Sequence, residues 1–179
     1  YYFCSYYIYI NSGLAFLYIL VWFIHTNKRI NLLSRDSNTV RKSQVTMHEL
    51  VLPNDINNLG NVLGGRVMHL MDICAAMSAY KHARSHVVTA SVDNMNFLAP
   101  AKKGFILILR SSVNYVSASS MEVGVKIESE NPFTGEIKHT GSAYLTFVAL
   151  DEEGNSKEIP DIIPETDVEI RRYKEGKKR

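Results

Sequence analysis

Asp72 stands inside an apolar stretch, between Leu70-Met71 and Ile73-Cys74, with Ala75 and Ala76 following. A carboxylate among apolar neighbours costs free energy unless it is paired or used. Partly buried, such a group serves as a general base or a nucleophile. The alternative is an Asp that faces solvent or caps a neighbouring element. Gly64-Gly65 opens the same stretch. Glycines there let a ligand approach the backbone. The first N–H groups of a helix lack internal partners and carry partial positive charge, so they can hold an anion or a developing oxyanion. A plain loop-to-helix turn is the other reading of the pair. Asp72 follows Gly65 by seven residues, roughly 11 Å along a helix axis. That is too far for one chain's Gly65 and Asp72 to share a small reacting group. A dimer can instead set one helix start against the other copy's Asp.

The remaining reactive side chains argue for other roles. His69, His82 and His86 form no metal-ligand arrangement, and no metal site is expected. No nucleophile elbow is present. Cys74, next to Ala75, reads as a small core residue rather than a nucleophile.

The helix that carries Asp72 spans roughly residues 65–83. Val67, Leu70, Met71, Cys74, Ala75, Met77 and Ala79 recur at three- and four-residue spacing. The pattern is apolar over more than one face and predicts a central, buried helix. Lys81, His82 and Arg84 suit its C-terminus. Before it, residues 45–52 alternate imperfectly as a strand ended by Pro53, and residues 54–61 carry the Asn, Asp and Gly of a loop. After it come four strand-like stretches, 87–98, 105–116, 121–130 and 136–150. Breaks fall at 100–104, at 117–120 and at the turn Asn131-Pro132-Phe133-Thr134-Gly135. Residues 160–164 read as extended, and 165–174 as a short exposed helix with a basic tail. One strand, one helix and four antiparallel strands make an α+β domain in which one sheet wraps one helix. Its free edges favour dimerisation.

The chain has 179 residues and a net charge of +2, which gives no support for nucleic-acid binding. Two distant cysteines, Cys4 and Cys74, suggest no disulfide framework, and the body reads as cytoplasmic. Residues 1–27 contain no Asp, Glu, Lys or Arg and are followed by Lys28 and Arg29. That length can span a bilayer with the basic side cytoplasmic. No Met precedes Met47, and the segment is crowded with Tyr, Ile, Asn and Phe. The second reading, a gene-model extension with the true start near Val40 or later, is therefore preferred over a membrane anchor. The expected organisation is an apolar segment and linker at 1–43, a domain at 44–164 and a basic tail at 165–179.

Pro53-Asn54-Asp55-Ile56-Asn57-Asn58-Leu59-Gly60-Asn61-Val62-Leu63-Gly64-Gly65, followed by Leu70-Met71-Asp72, resembles the hotdog-fold acyl-CoA thioesterases. This is the group of bacterial short-chain and brain-type cytosolic acyl-CoA hydrolases. Val88-Thr89-Ala90-Ser91-Val92-Asp93, Phe97-Leu98-Ala99-Pro100 and Ser119-Ser120-Met121-Glu122-Val123 also match. The resemblance runs from about Val45 to Pro164. It implies a hotdog fold, an antiparallel sheet wrapped around a long central helix. It also implies hydrolysis of acyl-CoA to free fatty acid and coenzyme A.

The site implied is shared between two protomers. One gives Asn57 and its loop, to orient water or the carbonyl. The other gives Asp72, to activate water or attack the thioester. The amide of Gly65 would polarise the thioester oxygen, and Asn61 would stabilise the loop. Gly64, Ser119, Ser120, Arg84 and Lys102 are the candidate contacts to coenzyme A, with Lys103 beside them. Many relatives carry a basic residue before Ser119, whereas Val116-Ser117-Ala118 stands here. No cofactor is implied, since coenzyme A belongs to substrate and product. The partners implied are acyl-CoA and a second copy, extending to a hexamer of three dimers. Two other functions fit the fold, a hotdog hydratase or dehydratase and a non-catalytic acyl-CoA-binding protein.

Overall fold

The computed structural model describes residues 37–179, so the apolar segment and the question of a membrane anchor lie outside the described residues. Strand β1 (Ser37–Thr39) leads into the short helix α1 (Val40–Ser43) and strand β2 (Val45–Leu50). A single 3-10 turn (Pro53–Asp55) and a loop precede helix α2 (Gly64–Ala83). Strands β3 (His86–Phe97), β4 (Ile106–Val116), β5 (Ser120–Glu130) and β6 (Ile137–Leu150) follow, then β7 (Asp161–Ile163) and helix α3 (Asp167–Gly176). The five long strands form one antiparallel sheet in the order β2-β4-β5-β6-β3. Among the described residues no helix is long and apolar enough to cross a membrane.

Period-two alternation decides which face of the sheet meets α2. In β6, Ala143, Leu145, Phe147 and Ala149 are buried while Ser142, Tyr144, Thr146 and Val148 are only partly so. Leu107, Leu109 and Val113 of β4 and Val123, Val125 and Ile127 of β5 complete the layer. Against it α2 sets Val67, Leu70, Met71, Cys74, Ala75 and Ala79, whose small residues allow close approach. Ser111 Oγ ties the two layers, donating to the Cys74 carbonyl at 2.7 Å and lying 2.6 Å from Ser78 Oγ. Burial pushes the Cys74 thiol pKa up, which opposes thiolate formation and fits its place in the core.

The structure changes three expectations. First, α2 is not buried all round. Met68, Ile73, Met77 and Tyr80 are exposed, so its second apolar face is left open in the single chain. Second, order begins before Ser43, because β1 pairs in parallel with β7 and Val40 and Ser43 are buried. Third, the basic C-terminus, although most of its cations are exposed, is anchored at its last residue. Helix α3 begins with a capping box between Thr166 and Glu169. It lies on the outer face of the sheet, where Tyr173 meets Tyr115 edge-on at 5.3 Å. Arg179 then grips Glu122 with two bonds of 2.6 and 2.8 Å and lies 3.9 Å above the Tyr144 ring.

His82, near the end of α2, is 1 % exposed. Its Nε2 lies 2.8 Å from the Pro160 carbonyl, which only accepts, so Nε2 carries the proton. Nδ1 is buried with no partner among the described residues. A second proton there would be buried without an acceptor. Burial accordingly holds the imidazole pKa below its ordinary value, against smaller opposing effects of Pro160 and Asp161. The unfolded chain then binds the proton more readily than the folded one. Stability is therefore lost as pH falls below about 6.5, the free imidazole value. Urea midpoints measured from pH 7 to 5 should drop more steeply for wild type than for His82→Gln.

Candidate active site

The loop from Leu52 to Leu63 is closed by its own polar groups. Asp55 joins both ends, its Oδ2 accepting the Leu52 N–H at 3.1 Å and its carbonyl accepting the Leu63 N–H at 2.8 Å. Within it, Asn57 N–H donates to the Asn61 carbonyl, and Gly60 turns the chain at φ +76°, a left-handed value that glycine accepts without strain. The Asn57 side-chain oxygen accepts from the N–H groups of Leu59 (2.9 Å) and Asn61 (3.2 Å). With Oδ1 so committed, the amide nitrogen is the end that remains to donate to a ligand. Asn61 serves the loop through its backbone, which also bridges to Lys102.

Arg66 was not singled out from the sequence. It reaches from the first turn of α2 to Glu49 at 2.7 Å and to Asp55 at 3.1 Å. The end of β2, the 3-10 turn and the helix start are thus fastened together. Leu63 at the N-cap has no side chain to cap with. The N–H groups of Gly64 and Gly65 find no acceptor among the described residues. Asn57 and Gly64 line one cavity of about 350 Å³, with Phe97, Leu98, Pro100 and Thr140. The Phe97 ring lies over Gly64, 3.7 Å from where a Cβ would stand. At Gly65 a Cβ would meet nothing within 4 Å.

Asp72 lies two turns further along α2, half-buried at the border between the packed and open faces of the helix. Its Oδ1 accepts a hydrogen bond of 2.8 Å from Thr89 Oγ1 on β3. Thr89 sits opposite Phe147 and so faces the helix. No hydrogen bond ties Asp72 to the Asn57 loop, and Asp72 does not line the cavity that Asn57 lines.

Residues 59–147 match the family model of the thioesterase superfamily. An acyl-CoA thioester hydrolase of Bacillus subtilis is 41% identical over 73% of this chain and 76% of its own length. The crystal structure of an apo-hexameric acyl-CoA thioesterase superposes with TM-score 0.76 at 42% identity, over 78% of this chain and 89% of that one. The Staphylococcus aureus acyl-CoA hydrolase, solved with butyryl coenzyme A, coenzyme A and its disulfide, gives TM-score 0.75 at 39% identity, over 79% and 87%. The chain belongs to the hotdog-fold acyl-CoA thioesterase family.

In this hotdog chain the candidate residues divide between the two ends of the sheet. Gly64 and Gly65 begin α2 at the end where Phe97 pairs with Gly141, and Lys102 lies there through its bridge to Asn61. Ser119 and Ser120 lie at the other end. There Ser120 pairs with Val148, and Val148 with Val88. Arg84, the left-handed cap of α2 at φ 51°, precedes β3 at that same end and lines a separate cavity with Tyr80, His86 and Lys157. One chain does not bring the two sets together. Thr89 was visible only as a β-branched strand residue, and nothing in its spacing pointed at Asp72. Among the described residues no group of His, Cys, Asp and Glu could hold a metal ion.

Proposed function

We propose that the protein hydrolyses the thioester of acyl-coenzyme A, releasing a carboxylic acid and coenzyme A. The observation that carries the site assignment is the Thr89–Asp72 hydrogen bond. Structures of the Staphylococcus aureus hydrolase were solved with one aspartate, one asparagine and one threonine each replaced by alanine. Those three positions are separated by 15 and 17 residues, the separations of Asn57, Asp72 and Thr89 here. With Oδ1 held by Thr89, the other oxygen of Asp72 takes the proton from water, and that water attacks the carbonyl carbon. The oxyanion is met by the free N–H at Gly65, and the Asn57 amide donates to the carbonyl or the water. The thiolate of coenzyme A leaves and collects the proton. Water is the only co-substrate this chemistry needs.

The site is completed by a second copy. Strand β3 ends the sheet with only Val87 buried, and its Val92 and Phe97 are exposed on the side that faces α2. An antiparallel pairing of β3 with its copy across a twofold axis sets the Asn57 end of one chain against the Asp72, Ser119, Ser120 and Arg84 of the other. Lys102 and Gly64 then approach coenzyme A from the first chain. Three such dimers make the hexamer that the apo-hexameric relative suggests.

Free thiol released from acyl-CoA esters of graded length tests the activity. Binding without release anywhere in the panel would replace hydrolysis by a carrier role. Mixing refolded Asn57→Ala and Asp72→Ala chains tests the sharing. Mixed dimers keep one intact site, so about a quarter of wild-type activity returns. A site within one chain would return none. Gly65→Ala has space in the chain and removes a flexible residue from a helix, so stability rises by about 0.5 kcal/mol. The new methyl stands where the thioester must approach, so kcat falls about tenfold, or ~1.4 kcal/mol in the barrier. Thermal melts and thiol release read the two effects separately.

A further inference from the structure

The outer face of the sheet, turned away from α2, carries a further cavity of about 490 Å³ walled on one side by Arg172 of α3. The register builds its floor. Thr46 lies opposite Arg110, Arg110 opposite Lys126, and Lys126 opposite Ser142. This row of donors crosses four strands, a width of about 14 Å. In the next row Gly124 lies between Ser112 and Tyr144, and the Asn114 amide packs over the glycine, 2.6 Å from where a Cβ would stand. Like charges placed directly opposite each other destabilise a sheet, yet Arg110 and Lys126 are such a pair. Glu128 answers both, at 2.5 Å from Lys126 and in a close ion pair with Arg110. Arg172 has no ion pair among the described residues. No carboxylate lines the cavity. Two cations held by Glu128, together with the exposed Arg172, leave about two positive charges over a concave surface rich in hydroxyl and amide donors.

We propose that this groove binds the phosphate groups of a small anionic ligand, at a site separate from the residues that cleave the thioester. A phosphate group supplies the missing negative charge and accepts several hydrogen bonds at once. The volume suits a small phosphorylated molecule. Asp72 and Asn57 take no part in it, so the groove's occupancy does not depend on the hydrolase reading.

The test uses the full chain. Pyrophosphate and, separately, citrate at matched ionic strength are titrated calorimetrically into wild type, Asp72→Ala, Lys126→Arg and the double variant Lys126→Gln/Arg172→Gln. Saturable pyrophosphate binding is expected in the first three and at least about tenfold weaker in the double variant, with citrate much weaker throughout. Steady-state hydrolysis by the double variant identifies the source. A raised KM with unchanged kcat makes the phosphates those of coenzyme A, and unchanged constants make them a second ligand's. The inference falls if pyrophosphate does not bind, if citrate binds as tightly, or if the double variant binds like wild type.

Discussion

Asp72→Ala lowers kcat/KM for acyl-CoA by at least about a hundredfold, the loss of ~2.7 kcal/mol of transition-state stabilisation that removal of a general base produces. The melting temperature barely moves. Asp72 is half-buried at the border of the packed face and outside the core, and among the described residues its one hydrogen bond comes from Thr89. Truncation therefore leaves no cavity and orphans only a hydroxyl on the partly open β3 edge. Asp72→Asn keeps the shape and can still accept from Thr89, but it has no proton-accepting carboxylate. It should be as inactive as Asp72→Ala. Thiol release and a thermal melt on the same preparations separate catalysis from folding. An active Asp72→Asn would remove the carboxylate from the mechanism.

Arg179→Ala carries the largest expected cost in stability. Glu122 is only 5 % exposed, and apart from Asn114 Nδ2 at 3.0 Å its partner is the Arg179 guanidinium. The two-pronged bond to Glu122 also pushes the guanidinium pKa further above its ordinary value. Removing the cation leaves a buried carboxylate without its counter-charge, costing about 3 kcal/mol. For a body of this size that lowers the melting temperature by about 10 °C. The stacking over Tyr144 is lost as well. Glu122→Gln combined with Arg179→Ala should cost less than the sum of the two single changes. Strict additivity would mean that the pair contributes nothing.

The long elements were legible because local pattern specifies them. The expected helix at 65–83 is α2 within one residue, and the four later strands match theirs to within about one residue at each end. Period two marks the strands, and period 3.6 marks the helix. Strand β1 was not legible. Three residues whose order comes from pairing with Asp161–Ile163 carry no local signal. The partnership of Arg179 with Glu122 spans 57 residues and reads as a tail until the fold closes it. Apolar neighbours in sequence single out Asp72, but they do not describe its surroundings fully. Ile73, Met77 and Tyr80 are exposed in the single chain, so part of the apolar surroundings is surface rather than core. Asn57 came from the resemblance alone, and only the structure shows its oxygen bound into the loop.

The uncovered β3 has a consequence for how the protein comes into being. A newly released chain carries a twelve-residue edge with unpaired backbone groups and apolar side chains, a template for wrong pairing. Register shifts at Thr89/Ser91 and Val92/Asn94 break its regularity and make it a poorer template for an arbitrary strand. The proposed pairing with a second copy is second order in chain. At an association rate of about 10⁶ M⁻¹s⁻¹, a nanomolar pool waits on the order of a thousand seconds for its match. Synthesis of many copies close together, as on one polysome, shortens that wait. The yield of usable protein therefore depends on where and how densely the chain is made as well as on its final stability.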